Sequence, residues 1–302
     1  MSMSSEQSSS LAPFHSALVA TDATRAADGA LRVAAGLAAR DGTVITTVST
    51  VEPAPYPQPV ADLALAPTLL PPAEEEGQAA RRHSVLVQHE QLGLPAPSDL
   101  VVVSSMPVSA ILFQAAQRKA DLVIMGLGRH ATVDRLFGSE TALRAVREAE
   151  RPVLAVPGTM EGIPRHAVVG MDFDESGISA ARIAARLVGP NGRLTLVHVD
   201  PLAEPLPAML ANLPPHALGR SNDAFARQLA QLDLPETLQV DTLSIAGVVG
   251  KELVTCAERI GADVVVVGRH ERGLLERLML GSATTHVVRT ATCAVMVVPR
   301  ET

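Results

Sequence analysis

The sequence predicts an α/β protein made of two repeated doubly wound domains, each a five-stranded mainly parallel sheet with helices on both faces. Three observations predict it. The chain has 302 residues, more than the ~100–200 of one domain. Its halves repeat each other. Each half alternates short, continuous Val/Leu/Ile runs with helical Ala/Leu patterns, and uninterrupted apolar runs mark strands covered on both faces.

The repeat is read first, because missing it miscasts the fold. Val19–Leu37 matches Val169–Leu187 with identical pairs Asp22/Asp172, Ala30/Ala180, Arg32/Arg182, Ala34/Ala184 and Leu37/Leu187, 150 positions apart. Later pairs, Ala120-Asp121 with Ala262-Asp263, Gly126 with Gly268, Arg147 with Arg289 and Pro157 with Pro299, are 142 apart. The first copy therefore carries about eight extra residues between these regions. The divisions are a disordered tail over 1–13, a first domain over 14–158 and a second over 164–302, with a short Gly/Pro boundary at Gly158–Pro164.

In copy one the predicted elements are a strand at Ser16–Thr21, a helix at Ala26–Ala39 and a β-branched strand at Thr43–Val51. A charged helix at Glu74–Gln91 follows, its acidic start suited to the helix dipole. Then come a strand at Asp99–Ser104, a helix at Val108–Lys119, a strand at Asp121–Met125, a helix at Glu140–Glu148 and a strand at Arg151–Val156 closed by Pro157. Copy two repeats the series at Ala167–Met171, Ser179–Val188, Arg193–Val199, Asp223–Leu232, Thr237–Ile245, Val249–Arg259, Asp263–Val267, Thr284–Arg289 and Ala294–Val298. Pro-rich stretches over Glu52–Pro72 and Pro201–Pro215 follow the second strand of each copy and read as irregular surface excursions, either spacers or lids.

Composition excludes several classes. One Tyr, five Phe and no Trp argue against base stacking on rings, and a net charge of −7 argues against a basic nucleic-acid footprint. Cys256 and Cys293 are too few for a disulfide framework or cysteine zinc site and read as buried fillers. No apolar run reaches the ~18 residues of a membrane helix, and the amino terminus lacks a signal-peptide pattern. The expected compartment is the cytoplasm, with no nucleic-acid or membrane partner.

The chemically suggestive stretch runs from Val264 through Gly268, Arg269, Glu271 and Arg272 to Gly281 and Ser282. A buried strand enters a glycine, crosses a basic loop and meets Gly-Ser at a helix start. Free N–H groups and the positive dipole end there suit an anion. Ser282 is placed to cap the helix, glycine lets backbone approach phosphate oxygens, and Arg269 and Arg272 supply charge.

Here the chain resembles the universal stress protein family in a tandem two-domain form. The resemblance rests on Leu18-Val19-Ala20-Thr21-Asp22 and Val168-Val169-Gly170-Met171-Asp172, on His198-Val199, on the Ala-Asp before strand four, and on Pro-Val-Leu-Ala-Val-Pro at 152–157. It implies an adenine-nucleotide site, with ATP and Mg²⁺, whose pattern is Gly, two residues, Gly, nine residues, Gly, then Ser or Thr. Copy two keeps Gly268, Gly281 and Ser282 at that spacing but has Glu271 in place of the second glycine, where a carboxylate opposes phosphate. In copy one Gly126, Gly128, Gly138 and Ser139 are one residue short in the first spacing, so that loop reads as degenerate. The resemblance also places Asp22 and Asp172 beside adenine and ribose, although an Asp there can equally cap the next helix.

By the same resemblance the domains pair within one chain through their last strands, Val153–Val156 and Val295–Val298, and a homodimer of chains is a further expectation. Pairing hides an apolar edge. His130 and His270 follow arginines in equivalent loops and lack metal spacing. His198 reads as a packing residue, and His286, four after Ser282, has no orienting carboxylate for catalysis. The function expected is a stress-response, adenine-nucleotide-responsive regulatory module, not an enzyme in the main, with any adenine held by aliphatic walls. The alternatives are a non-binding dimerisation protein with vestigial loops and a weak nucleotide hydrolase.

Overall fold

A computed structural model describes residues 12–53, 72–128, 139–201, 220–269 and 281–300. It contains two compact units. One comprises His15–Ala145 and Val156–Gly162; the other comprises the chain through Phe14, Val146–Ala155, and Ile163 onward.

In the first unit β1 (Ser16–Ala20), β2 (Val44–Val51), β3 (Asp99–Ser104) and β4 (Leu122–Gly126) form a parallel sheet in the order β3-β2-β1-β4. A 3-10 turn at Arg25–Ala27 leads into α1 (Asp28–Asp41), and α2 (Pro72–Gln91) and α3 (Pro107–Gln117) complete the crossovers. Helix α1 buries Leu31, Val33, Ala34 and Leu37 and stops at Gly42, whose φ of 72° needs no Cβ. Pro107 opens α3 where its missing N–H costs nothing.

The second unit has β6 (His166–Gly170), β7 (Arg193–Pro201), β8 (Gln239–Gly247), β9 (Val264–Gly268) and β10 (Ala294–Val298) in the parallel order β10-β9-β6-β7-β8. Its helices are α5 (Glu175–Val188), α6 (Arg220–Leu232), α7 (Val249–Ile260) and α8 (Ser282–Thr290), while α4 (Ser139–Glu148) crosses the division between the units. Strand β5 (Val153–Val156), the last of copy one by sequence, runs antiparallel to β10 with Ala155 opposite Val295 and Val153 opposite Val297. Every residue of β4, β5 and β10 is buried, which explains their uninterrupted apolar composition.

The Ala-Asp before strand four has a clear physical role. In the first unit Asp121 Oδ2 accepts the backbone N–H of His15 at 2.7 Å and of Ser16 at 3.1 Å. In the second, Asp263 Oδ2 accepts those of Arg165 at 2.8 Å and His166 at 2.9 Å. The carboxylate thus satisfies the donors that open the first strand and sets its register against the fourth.

The predicted elements all form, and the differences lie at their ends. α5 starts at Glu175 rather than Ser179 because Asp174 caps it, its carboxylate accepting from the N–H groups of Ser176 and Gly177. Cys256 is buried as expected, and burial pushes its thiol pKa up, whereas Cys293 is only half-buried. Of the tail, residues 1–11 lie outside the described residues; the carbonyls of Ala12 and Pro13 accept from Arg186 at 2.8 and 3.1 Å. Both Pro-rich excursions lie largely outside the described residues. No described helix is long and apolar enough to cross a membrane.

Candidate functional site

In both sheets the chain moves outward from the first strand and then returns to its other side. The order reverses between β1 and β4 in the first unit and between β6 and β9 in the second. Open α/β sheets bind ligands in the crevice at the carboxyl ends of strands beside such a reversal. Asp22 follows β1 and Gly126 ends β4; Asp172 follows β6 and Gly268 ends β9. The topology therefore puts four of the sequence-predicted residues at the two switch points.

In the second unit Asp172 is exposed. Its Oδ1 accepts the Asp174 N–H at 3.3 Å and its Oδ2 the Ser176 hydroxyl at 3.2 Å. Gly268 meets the same helix start: a Cβ there would lie 2.6 Å from Ser176 Oγ and 3.0 Å from its carbonyl oxygen. Ser176, which sequence reasoning missed, thus joins Asp172 to Gly268. The glycine is required for strand-to-helix packing, a tighter constraint than the approach to phosphate expected of it. Phe173, between the two aspartates, is left-handed at φ 61° and its ring lies 4.2 Å from His198 and 5.0 Å from Phe225. His198 is a packing residue with both nitrogens engaged, Nδ1 donating to the Met171 carbonyl at 2.8 Å and Nε2 lying 3.2 Å from Asp200.

Helix α8 begins at Ser282, so Gly281 is the N-cap residue and Ser282, exposed, is the first helical residue. The expected cap by Ser282 is corrected accordingly: the N-cap makes no side-chain hydrogen bond. Among the described residues a Cβ at Gly281 would meet nothing within 4 Å. The start of α8 is packed by α7, where a Cβ at Gly250 would come within 2.8 Å of the Ala283 carbonyl. Arg269 points to another task. Its Nη1 donates to the carbonyls of Val146 at 3.2 Å, Arg147 at 3.1 Å and Ala149 at 2.7 Å, at the last turn of α4. A cation there complements the negative end of the helix. His270, Glu271 and Arg272 lie outside the described residues.

In the first unit Asp22 is buried, 3% exposed. Its Oδ1 accepts from the Thr24 N–H at 3.0 Å and hydroxyl at 2.6 Å, and Arg81 donates to its backbone carbonyl. Neither Asp22 nor Asp172 caps its helix by side chain; that alternative is replaced by these local turns. A Cβ at Gly126 would lie 2.5 Å from the Ala26 carbonyl, so this glycine too serves helix packing. Gly128 is buried just beyond β4. Ser139 is the first residue of α4. Gly138 and His130 lie outside the described residues.

The universal stress protein family model matches the chain twice, over residues 13–157 and 164–299. The chain belongs to the universal stress protein family. A universal stress protein of Methanocaldococcus jannaschii is 36% identical over 63 residues, 21% of this chain and 37% of that protein. A second from the same organism is 32% identical over 63 residues, 21% of this chain and 39% of that protein. The chain therefore aligns with under two fifths of the length of these curated relatives. Among solved structures, a universal stress protein from Archaeoglobus fulgidus matches 98% of this chain and 100% of its own at 15% identity and TM-score 0.61. A functionally unknown protein from Pseudomonas aeruginosa matches 96% of this chain and 94% of its own at 15% identity and TM-score 0.62. At these identities the likeness is one of fold.

This universal stress protein has a cavity of about 450 Å³ at the carboxyl end of the second unit, bordered by Phe173, Asp174, Ile178, Arg227, Gln228 and Arg300. Arg300 is 3.7 Å from Glu175, which also lines it. Phe173 gives this cavity an aromatic wall, backed by Phe225 52 positions away in sequence. Gly281 and Ser282 do not line this cavity.

Proposed function

We propose that this universal stress protein is a stress-response regulatory module that binds adenine nucleotide, ATP with Mg²⁺, at its second copy. One observation carries the reading: the N-cap of α8 is Gly281, which has no side chain to cap it, and among the described residues nothing lies within 4 Å of where its Cβ would be. That combination suits phosphate oxygens, which take N–H donors and the positive helix end. Asp172, exposed at the switch point, suits ribose or adenine donors, and Arg272 belongs to the same proposal. Among the described residues no group of three or more His, Cys, Asp or Glu converges to hold a metal. Mg²⁺ would accordingly be held chiefly by nucleotide phosphates and water.

The test is titration calorimetry of the purified full chain with ATP and Mg²⁺. Saturable binding is expected, lost in Gly281→Val, a change that meets nothing among the described residues. No bound adenine nucleotide on purification and no heat on titration would overturn the reading. A second reading, a regulatory dimerisation protein whose loops have lost nucleotide, is favoured by Arg269, which is committed to the α4 carbonyls. It expects binding to appear only in Glu271→Gly, and a dimer by light scattering. Copy one is the weaker site in either reading.

A further inference from the structure

We propose that the first copy carries a second binding site, a cavity against α1 that takes a neutral, mainly apolar molecule bearing one hydroxyl group. The cavity has a volume of about 430 Å³, within the range of small-molecule pockets. It is bordered by Leu31, Ala34 and Ala38 of α1, Ile45 of β2, Leu94 after α2, and His89. Thr43 and Val44, at the start of β2, also line it, which puts it at the amino ends of the strands. Asp22 and Gly126 are at the opposite, carboxyl ends, so this proposal does not depend on nucleotide binding.

His89 is the observation that points to a ligand. It is 6% exposed, and neither ring nitrogen has a hydrogen-bond partner among the described residues. Buried polar atoms are nearly always satisfied, so an unpartnered imidazole requires an account. The fold does not demand it. Gln88 donates to the Thr24 carbonyl at 2.8 Å, as Gln228 does to the Asp174 carbonyl at 3.5 Å, so the two glutamines are equivalent. The residue after Gln228 is Leu229. One copy of this design is thus built with leucine on α6 where the other has histidine on α2.

The lining defines the ligand. No Asp, Glu, Lys or Arg lines the cavity. Burial lowers the His89 pKa, which favours the neutral ring. Neutral imidazole has one donor and one acceptor nitrogen, and a hydroxyl can serve either. A carboxylate or ammonium would be buried without a countercharge. The remaining walls are mainly aliphatic, with Thr43, Thr47 and Ser98 the other polar residues, and suit an alkyl or aryl body.

The experiment uses the full chain and histidine-selective NMR, with the His89 ring signals identified by their absence in His89→Leu. The probes are 1-octanol, 4-ethylphenol and octanoate. Saturable shifts of the His89 signals by one or both hydroxyl probes, with affinity at least tenfold above octanoate, are expected. In calorimetry His89→Leu should weaken the same probe at least tenfold, and Ala38→Phe, which fills the cavity from its rim, should do so with His89 intact. An aryl preference would assign the body. His89 signals that no probe moves, the result of an ordered water alone, would overturn the proposal. So would equal affinity in His89→Leu.

Discussion

The two turns that leave the first strands begin from the same sequence design and end differently. In both, an aspartate is followed by a left-handed residue, Ala23 at φ 59° and Phe173 at φ 61°. In the first unit Thr24 gives both its N–H and hydroxyl to Asp22, so neither caps the helix, and a 3-10 turn precedes α1. In the second, Asp174 stands at the corresponding position and caps α5 directly, leaving Asp172 exposed beside a cavity. The same turn thus carries a buried aspartate where threonine follows and an exposed one where a capping aspartate does.

The sharpest test of this comparison uses the glycines that both turns share. Gly126→Ala drives a Cβ against a backbone carbonyl and should destabilise by roughly 3 kcal/mol, whereas Gly268→Ala should cost roughly 2 kcal/mol because the Ser176 hydroxyl can rotate away. Urea unfolding midpoints measure both, and equal costs would break the distinction. Next, Asp22→Ala should lose about 1–2 kcal/mol by stranding Thr24 donors. Asp172→Ala should lose under about 0.5 kcal/mol, as surface changes do, while weakening nucleotide in calorimetry.

The caps come third. Asp174→Ala should cost about 1 kcal/mol through the lost cap, and Thr24→Ala about 1 kcal/mol through the hydroxyl lost to the buried Asp22 carboxylate rather than through a cap. The smallest effect concerns pH. Burial lowers the pKa of His89; burial, followed by Arg193, lowers that of His166. As pH falls below about 6.5, the unfolded chain binds protons that the folded chain resists. Stability is then present above that pH and declines below it. Unfolding midpoints at pH 7.5 and 5.5 should show the decline, and His89→Leu should reduce it while His166 sustains the rest.

Much of this was legible from residue order. Continuous Val/Leu/Ile runs located the strands because a buried strand has no polar face to interrupt it. The paired Asp and Gly positions marked equivalent strand ends because both copies retain them in the same order, 104 residues apart in the first copy and 96 in the second. Other features were not legible. The match between Gln88-His89 and Gln228-Leu229 follows the region where the copies differ in length, so only their equivalent hydrogen bonds reveal it. Arg269 sits beside a phosphate-type loop in sequence, yet its partners are 120–123 positions away.

By itself the sequence determined the family, the repeated α/β design and the order of strands and helices, since these depend on local periodicity and spacing. Tertiary structure alone decided which aspartate is buried, what Arg269 holds, and that His89 faces a cavity. Each depends on where distant side chains meet, and periodicity carries no record of such meetings.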